Sequence, residues 1–166
     1  MKMELIQPFI NSADAVLAQS MQSETRIGDV SMEEEAYRRK GVAALVEIAG
    51  DIEGRIILDT DAATAMQIAK HLAGGDIEPS DGLVRETVCE LANMVIGNAV
   101  TSLNDQGFRF KISPPVAHTA EQGLSGSEDT EALVMCFETA KGSVFMNIAM
   151  RYNRRRKEER AGAVVG

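Results

Sequence analysis

The chain has 166 residues, a length typical of one domain that buries a substantial core. Its formal net charge of −8 and its 4% content of aromatic residues argue against nucleic acid as the main partner. Such a chain has no broad basic face to neutralise phosphates and few rings on which bases could stack. Two cysteines, Cys89 and Cys136, do not make a disulfide framework, and both are expected to be reduced, buried thiols.

The polar N-terminal segment and the lack of long apolar stretches favour a cytoplasmic protein. Polar residues occur throughout the N-terminal segment, which therefore lacks the apolar stretch of a signal peptide. No segment reaches the roughly 18 apolar residues that a membrane span requires. We expect one domain over residues 1–152, followed by a charged, frayed tail over 153–166.

The hydrophobic pattern predicts helices and strands along the whole domain. Gly50 and Gly54 are expected to form the turn of a hairpin, and Asp59, Thr60 and Asp61 are candidate caps of the helix after it. Gly107 is expected to end the longest helix. The predicted elements, in chain order, are a helix over 4–21, a polar connection over 22–40 that could hold an edge strand around 25–30, a hairpin over 41–60, helices over 62–73 and 81–105, and strands over 108–113, 116–119, 132–138 and 143–150.

Two hairpin-like segments resemble each other. Residues 46–58 (VEIAGDIEGRIIL) and 136–146 (CFETAKGSVFM) both consist of a strand, a short polar turn containing glycine, and an apolar strand. This similarity suggests a pseudo-duplicated unit. The predicted fold class is α/β, in the α+β sense of long helices packed on a largely antiparallel sheet.

The helix predicted over 81–105 has two distinct faces. At about 100° per residue, one set of apolar residues forms a stripe that should face the core. That core stripe consists of Val84, Val88, Leu91, Val95 and Ala99. A second set falls on the opposite side and should face outward on adjacent turns. We call this set the outward row, and it consists of Glu86, Glu90, Asn93 and Gly97.

The residue types in the outward row suit a docking surface. Asn and Gly are unfavourable in a helix interior, and Asn93 on an outward face helps neither packing nor capping. Gly97 lacks a side chain and would let the backbone of another protein approach. An ordinary solvated helix face is the alternative interpretation.

The sequence ELANMVIG over residues 90–97, on a helix that follows a hairpin and a shorter helix, resembles the CheC/CheX family of chemotaxis phosphatases. The family motif is Glu-x-x-Asn, with a small or acidic residue four positions before the glutamate and a proline further along the chain. Glu86 takes the preceding position, and Pro114 and Pro115 fall close to the expected proline. The resemblance covers most of residues 5–150 and implies a CheC-like fold.

The resemblance implies that the protein hydrolyses the phospho-aspartate of a phosphorylated CheY-like response regulator. Asn93 would orient the attacking water, and Glu90 would pair with the active-site lysine of the regulator. Glu86, Gly97 and Pro115 would contribute to docking. A neutral carboxamide suits this task because phosphoryl oxygens would repel a second carboxylate beside the water.

The resemblance also bears on the metal ion and on the oligomeric state. Mg²⁺ would belong to the regulator, and this chain is expected to bind no cofactor or metal, since His71 and His118 lack ligand-like neighbours. The helix predicted over 4–21 has no second Glu-x-x-Asn, because Asn11 follows Gln7 and Pro8 without the glutamate. A single motif fits the CheX type, and resemblance to that type implies a homodimer formed through the sheet.

Two functions remain open from the sequence. The first is a phosphatase for an aspartyl-phosphate regulator, which the presence of both Glu90 and Asn93 favours. The second is a regulator-binding or flagellar-switch-related adaptor of the same fold without useful turnover. A fold relative with a partner outside chemotaxis is a third reading. A nucleophilic Cys89 is not favoured, because no histidine stands at a suitable helical spacing.

Overall fold

The structure, a computed structural model, describes residues 3–33, 40–119 and 132–153. In this part of the chain, helices pack on one face of a sheet in which every strand pair is antiparallel. The helices are α1 (Met3–Met21), α2 (Ala62–Leu72) and α3 (Asp81–Asp105). The strands are β1 (Arg26–Glu33), β2 (Val42–Gly50), β3 (Ile52–Thr60), β4 (Phe110–Ile112), β5 (Val116–Thr119), β6 (Ala132–Thr139) and β7 (Gly142–Tyr152).

The order of the strands shows that the fold consists of two related halves. The sheet runs β1-β6-β7-β3-β2-β4, and β5 also pairs with β2. Strand β1 of the first half pairs with β6 of the second half, just as β5 of the second half pairs with β2 of the first. Strands β3 and β7 lie side by side at the centre, with Ile56 opposite Ile148. The predicted pseudo-duplication and the predicted antiparallel sheet are both confirmed.

The main core lies between the helices and one face of the sheet. Alternate residues of β2, from Val42 to Ile48, pack there with the buried faces of all three helices described here. The opposite face of the sheet carries a smaller cluster formed by Ala43, Ile57 and Val134. On that face the Nη1 of Arg55 donates a 2.5 Å hydrogen bond to the Oδ1 of Asn147.

Capping residues explain where α2 and α3 begin. The carboxylate of Asp61 accepts a 2.7 Å hydrogen bond from the backbone N–H of Thr64, as predicted for a cap of α2. The hydroxyl of Ser80 accepts a 3.1 Å bond from the N–H of Leu83 at the start of α3. Gly107 follows α3 with a φ of 95°, a conformation that favours glycine. The predicted bounds of α3 are confirmed.

The prediction for the hairpin turn was wrong at Gly54, which lies inside β3 and not in the turn. Its φ is 148°, and a Cβ built there would stand 1.9 Å from the carbonyl oxygen of Ala149 on β7. Gly50 does stand at the turn, with a φ of 132°. Glycine at position 54 is therefore explained by the close approach of two central strands.

Two strands differ in length from the prediction. Strand β4 covers only Phe110–Ile112, because the N–H groups of the two preceding residues bond elsewhere. The N–H of Phe108 donates to the carbonyl of Leu103, and that of Arg109 donates to the Oδ2 of Asp51. Strand β1 reaches Glu33 and forms an edge of the sheet, where the sequence predicted an edge strand around 25–30.

The remaining predictions concern the cysteines and the tail. Cys89 and Cys136 are free thiols, but each is half-buried and not fully buried as predicted. Of the predicted tail over 153–166, only Asn153 belongs to the described residues, and the rest lies outside them. Among the described helices, none combines the length and the apolar character needed to cross a membrane.

Candidate functional site

Helix α3 presents the outward row on its exposed side. Glu86, Glu90, Asn93 and Gly97 are all exposed, whereas every residue of the core stripe is buried. The orientation predicted from the helical period is therefore confirmed. The core stripe packs into the main core, so the outward row projects from a helix that is held from behind.

The polar side chains of the outward row have no partner in the described part of the chain. Glu86, Glu90 and Asn93 form neither a hydrogen bond nor an ion pair with any residue of 3–33, 40–119 or 132–153. On α2, the Nζ of Lys70 lies 2.9 Å from the Oε1 of Glu78, with which it forms an ion pair. Two carboxylates and one carboxamide are thus available to a partner.

The backbone beneath the outward row is fixed by hydroxyl groups. The buried hydroxyl of Ser12 on α1 donates a 2.6 Å hydrogen bond to the carbonyl oxygen of Val95. Thr101 donates a 3.0 Å bond from its Oγ1 to the carbonyl of Gly97. The Ser12 bond holds the turn of α3 that carries Asn93 and Gly97 against α1, whereas the Thr101 bond lies within α3 itself.

An open groove of about 470 Å³ runs beside the outward row, between α2 and α3, and we call it the α2–α3 groove. Glu86 and Glu90 belong to its lining, so the carboxylates of the outward row stand at its edge. Leu72 from α2 and Met94 from α3 also line it, and they are 45% and 39% exposed. Buried Leu91 contributes to its floor.

Sequence reasoning missed the α2–α3 groove because residues from separate helices form it. The available signals were Leu72 in the last turn before Gly74 and Met94 directly after Asn93, each an apolar residue at an exposed helix position. Neither signal could show that the two side chains share one depression.

Pro115, predicted to contribute to docking, lies in the connection between β4 and β5 and is half-buried. It is not among the residues that line the α2–α3 groove. The structure thus brings Glu86 and Glu90 together at the groove, and it places Pro115 outside that depression.

Other chemistry finds little support in the described residues. Burial raises the pKa of the Cys89 thiol, which keeps it protonated at neutral pH and makes it a poor nucleophile. Within 3–33, 40–119 and 132–153, no group of three or more His, Cys, Asp or Glu side chains could hold a metal ion. His71 and His118 stand on separate elements, α2 and β5.

Comparison with protein families gives a match to the family described as "Chemotaxis phosphatase CheX" over residues 42–138. This range includes the β2–β3 hairpin, α2, α3 and the whole outward row. No curated protein sequence matches the chain.

Solved structures extend the comparison over most of the chain. In the CheX–CheY–BeF3–Mg²⁺ complex from Borrelia burgdorferi, the similar chain is 33% identical, with a TM-score of 0.71, and the match covers 88% of this chain and 97% of that one. A CheC-like superfamily protein from Shewanella sp. PV-4 is 24% identical, with a TM-score of 0.79 and coverage of 91% and 99%. The chemotaxis protein CheX from Vibrio vulnificus is 24% identical, with a TM-score of 0.74 and coverage of 89% and 99%.

Proposed function

Because the chain belongs to the CheX family of chemotaxis phosphatases, we propose that it hydrolyses the phospho-aspartate of a phosphorylated CheY-like response regulator. One observation carries this proposal. Glu90 and Asn93 stand one turn apart on the exposed side of α3, and neither side chain has a partner among the described residues. A carboxylate and a carboxamide held in this way can enter the active site of another protein.

We assign to Asn93 the role of positioning the attacking water. Its carboxamide accepts a hydrogen bond through oxygen and donates through nitrogen, so it can hold a water in line with the phosphorus–oxygen bond that breaks. The water oxygen forms the new bond to phosphorus, the aspartate carboxylate of the regulator leaves, and the water's proton passes to phosphate or solvent. Phosphoryl transfer needs such positioning more than it needs a strong base.

Glu90 is the residue that we assign to anchoring. Its carboxylate, which has no cationic partner within 3–33, 40–119 and 132–153, would form an ion pair with the active-site lysine of the regulator and set the distance between α3 and the phosphoryl group. Glu86, Gly97 and Pro115 would contact the surrounding surface of the regulator. The regulator would hold the Mg²⁺, an assignment supported by the ion named in the Borrelia complex.

The proposal includes a cytoplasmic homodimer formed through the sheet. Edge strand β1 supports this assembly, because it carries three exposed apolar side chains, Ile27, Val30 and Met32. An edge strand can pair with the same strand of a second copy. Light scattering on the purified protein tests the dimer, and Val30→Lys should shift it toward monomer.

The phosphatase activity is tested by phosphorylating a CheY-like regulator with a small phosphodonor and following the release of phosphate. The protein should accelerate release, and Asn93→Ala should reduce that acceleration roughly 100-fold. Glu90→Ala should weaken it, and Glu90→Lys should weaken it further because the charge is reversed. The matched control is Asn98→Ala, which removes an exposed carboxamide from another face of α3 and should change nothing.

The adaptor function makes a different prediction for the same assay. An adaptor would bind the phosphorylated regulator, and the phosphate would be lost at the same rate with and without the protein. Unchanged decay with the wild type and with all variants would therefore overturn the phosphatase proposal.

A further inference from the structure

The α2–α3 groove is lined both by exposed apolar side chains and by acidic side chains. Its walls include Leu72 and Met94, two large apolar side chains that remain 45% and 39% exposed. Its edge is formed by the carboxylates of Glu86 and Glu90. Exposed apolar side chains in one concave site, bordered by charge, are typical of an interaction surface.

The α2–α3 groove is continuous with the outward row. Met94 follows Asn93 directly and stands one turn after Glu90, and residues four apart on a helix have Cβ atoms roughly 6 Å from each other. When a side chain of a partner protein contacts Glu90, the side chains next to it in that partner therefore lie within reach of Met94. Any protein that docks on the outward row must also cover the groove or leave it as a void.

The charges at the groove define what it can accept. Neither Glu86 nor Glu90 is paired with a cation in the described part of the chain. Lys70, on the same helix as Leu72, directs its Nζ to Glu78 and leaves the groove edge acidic. A complementary surface carries a basic side chain beside an aliphatic or aromatic one, so that both the charge and the apolar area are matched.

We propose that the α2–α3 groove receives an apolar side chain of the phosphorylated regulator, adjacent to the basic residue that pairs with Glu90. This inference rests on the proposed phosphatase function and identifies a second, apolar contact for the same partner. The groove sets the affinity for the regulator, whereas Asn93 sets the rate of hydrolysis once the complex has formed. Burial of Leu72 and Met94 in the complex provides the apolar contribution.

The test is the steady-state kinetics of phosphate release with Leu72→Ser and Met94→Ser. Each variant should raise KM for the phosphorylated regulator roughly tenfold and leave kcat unchanged. Met94→Leu, which keeps the apolar volume, should restore the wild-type KM. The matched control is Met3→Ser, because Met3 is 53% exposed and lies at the opposite end of α1 from Ser20, which lines the groove.

The outcomes separate this inference from the proposed function. If the wild type does not accelerate phosphate release, the phosphatase function fails, and binding of the regulator measured by calorimetry still tests the groove. If the wild type is active and both serine variants keep the wild-type KM, the groove inference is overturned. The inference is also overturned if the serine variants change the oligomeric state, because a second copy would then cover the groove.

Discussion

The hydroxyl of Ser12 on α1 lies 2.6 Å from the carbonyl oxygen of Val95 on α3, to which it donates a hydrogen bond. Val95 stands between Asn93 and Gly97 in sequence, but it faces the core and not the solvent. The bond therefore ties the buried side of α3 to α1 at the turn where the exposed side carries the proposed water-positioning residue. A helix fixed at this point can present Asn93 without a large rearrangement.

Ser12→Ala should lower the free energy of unfolding by about 1 kcal/mol, because it removes a buried interhelical hydrogen bond. Urea unfolding followed by circular dichroism measures the change. The control is Ser102→Ala, which removes an exposed hydroxyl from α3 and should have little effect. Equal losses in the two variants would show that the contact with Val95 contributes nothing of its own.

Gly97 provides a way to separate stability from docking. It lies within α3, is exposed, and a Cβ built there would meet no atom within 4 Å. Gly97→Ala should therefore raise the free energy of unfolding by about 0.8 kcal/mol through helix propensity, and its single methyl group should slow phosphate release only slightly. Gly97→Gln should also raise stability, but its long side chain would obstruct the regulator and slow phosphate release.

Thermal unfolding and the phosphate-release assay on both Gly97 variants decide this prediction. Wild-type phosphate release by the stabilised Gly97→Gln protein would show that no partner approaches α3 at this point.

Gly54→Ala adds the same methyl group as Gly97→Ala, but it should lower the free energy of unfolding instead of raising it. The added methyl group would stand 1.9 Å from the carbonyl oxygen of Ala149, at a φ of 148° that L-residues rarely adopt. Strands β3 and β7 would have to separate at the centre of the sheet, and we expect a loss of about 3 kcal/mol or more. The soluble yield and the midpoint of urea unfolding measure this, and a midpoint equal to that of the wild type would contradict the proposed register.

Tyr152 links the end of β7 to the start of α1 by donating a hydrogen bond from its hydroxyl to the Oε1 of Glu4. Burial, followed by this hydrogen bond and the negative charge of Glu4, raises the pKa of Tyr152 from 10.0 to about 12. The pKa of Tyr152 is higher in the folded protein than in the unfolded chain. The contribution of its hydroxyl to the free energy of unfolding is therefore present below pH 10 and is lost as the pH rises toward 12. Tyr152→Phe keeps the ring beside Phe108 and removes only the hydroxyl.

The difference in unfolding free energy between the wild type and Tyr152→Phe should be roughly 0.5 kcal/mol at pH 8. It should narrow between pH 10 and pH 12, because the hydroxyl of the unfolded chain ionises from about pH 10 whereas that of the folded protein keeps its proton until about pH 12. Urea unfolding of both proteins at pH 8 and pH 11 measures this difference. A constant difference across that range would show that the hydroxyl does not stabilise the fold through Glu4.

Local signals predicted α3 and its faces because all of the information lies within the helix and the few residues that flank it. Ser80 caps the start, Gly107 follows the end, and the spacing of the apolar residues determines which side is buried. The exposed positions of Glu90 and Asn93 follow from the same spacing. Their chemical roles do not follow from it, since these roles depend on a second protein.

Contacts between distant parts of the chain account for the predictions that failed. The N–H of Arg109 bonds to Asp51, which is 58 positions away, and so the strand predicted over 108–113 is shorter. Gly54 looked like a turn residue, but the close approach of Ala149 explains its conformation. The α2–α3 groove likewise depends on the packing of one helix against another, which no single segment of the sequence encodes.

The two related halves of the fold place one helix, α1 or α3, at the start of each half, but the exposed amides of the two helices differ. On α1, the Nε2 of Gln7 donates a 2.8 Å hydrogen bond to the Oδ1 of Asn11, so this carboxamide is already engaged within its own helix. On α3, the carboxamide of Asn93 forms no hydrogen bond with any residue in the described part of the chain. The stoichiometry of the complex should therefore be one regulator per chain, and a homodimer should bind two.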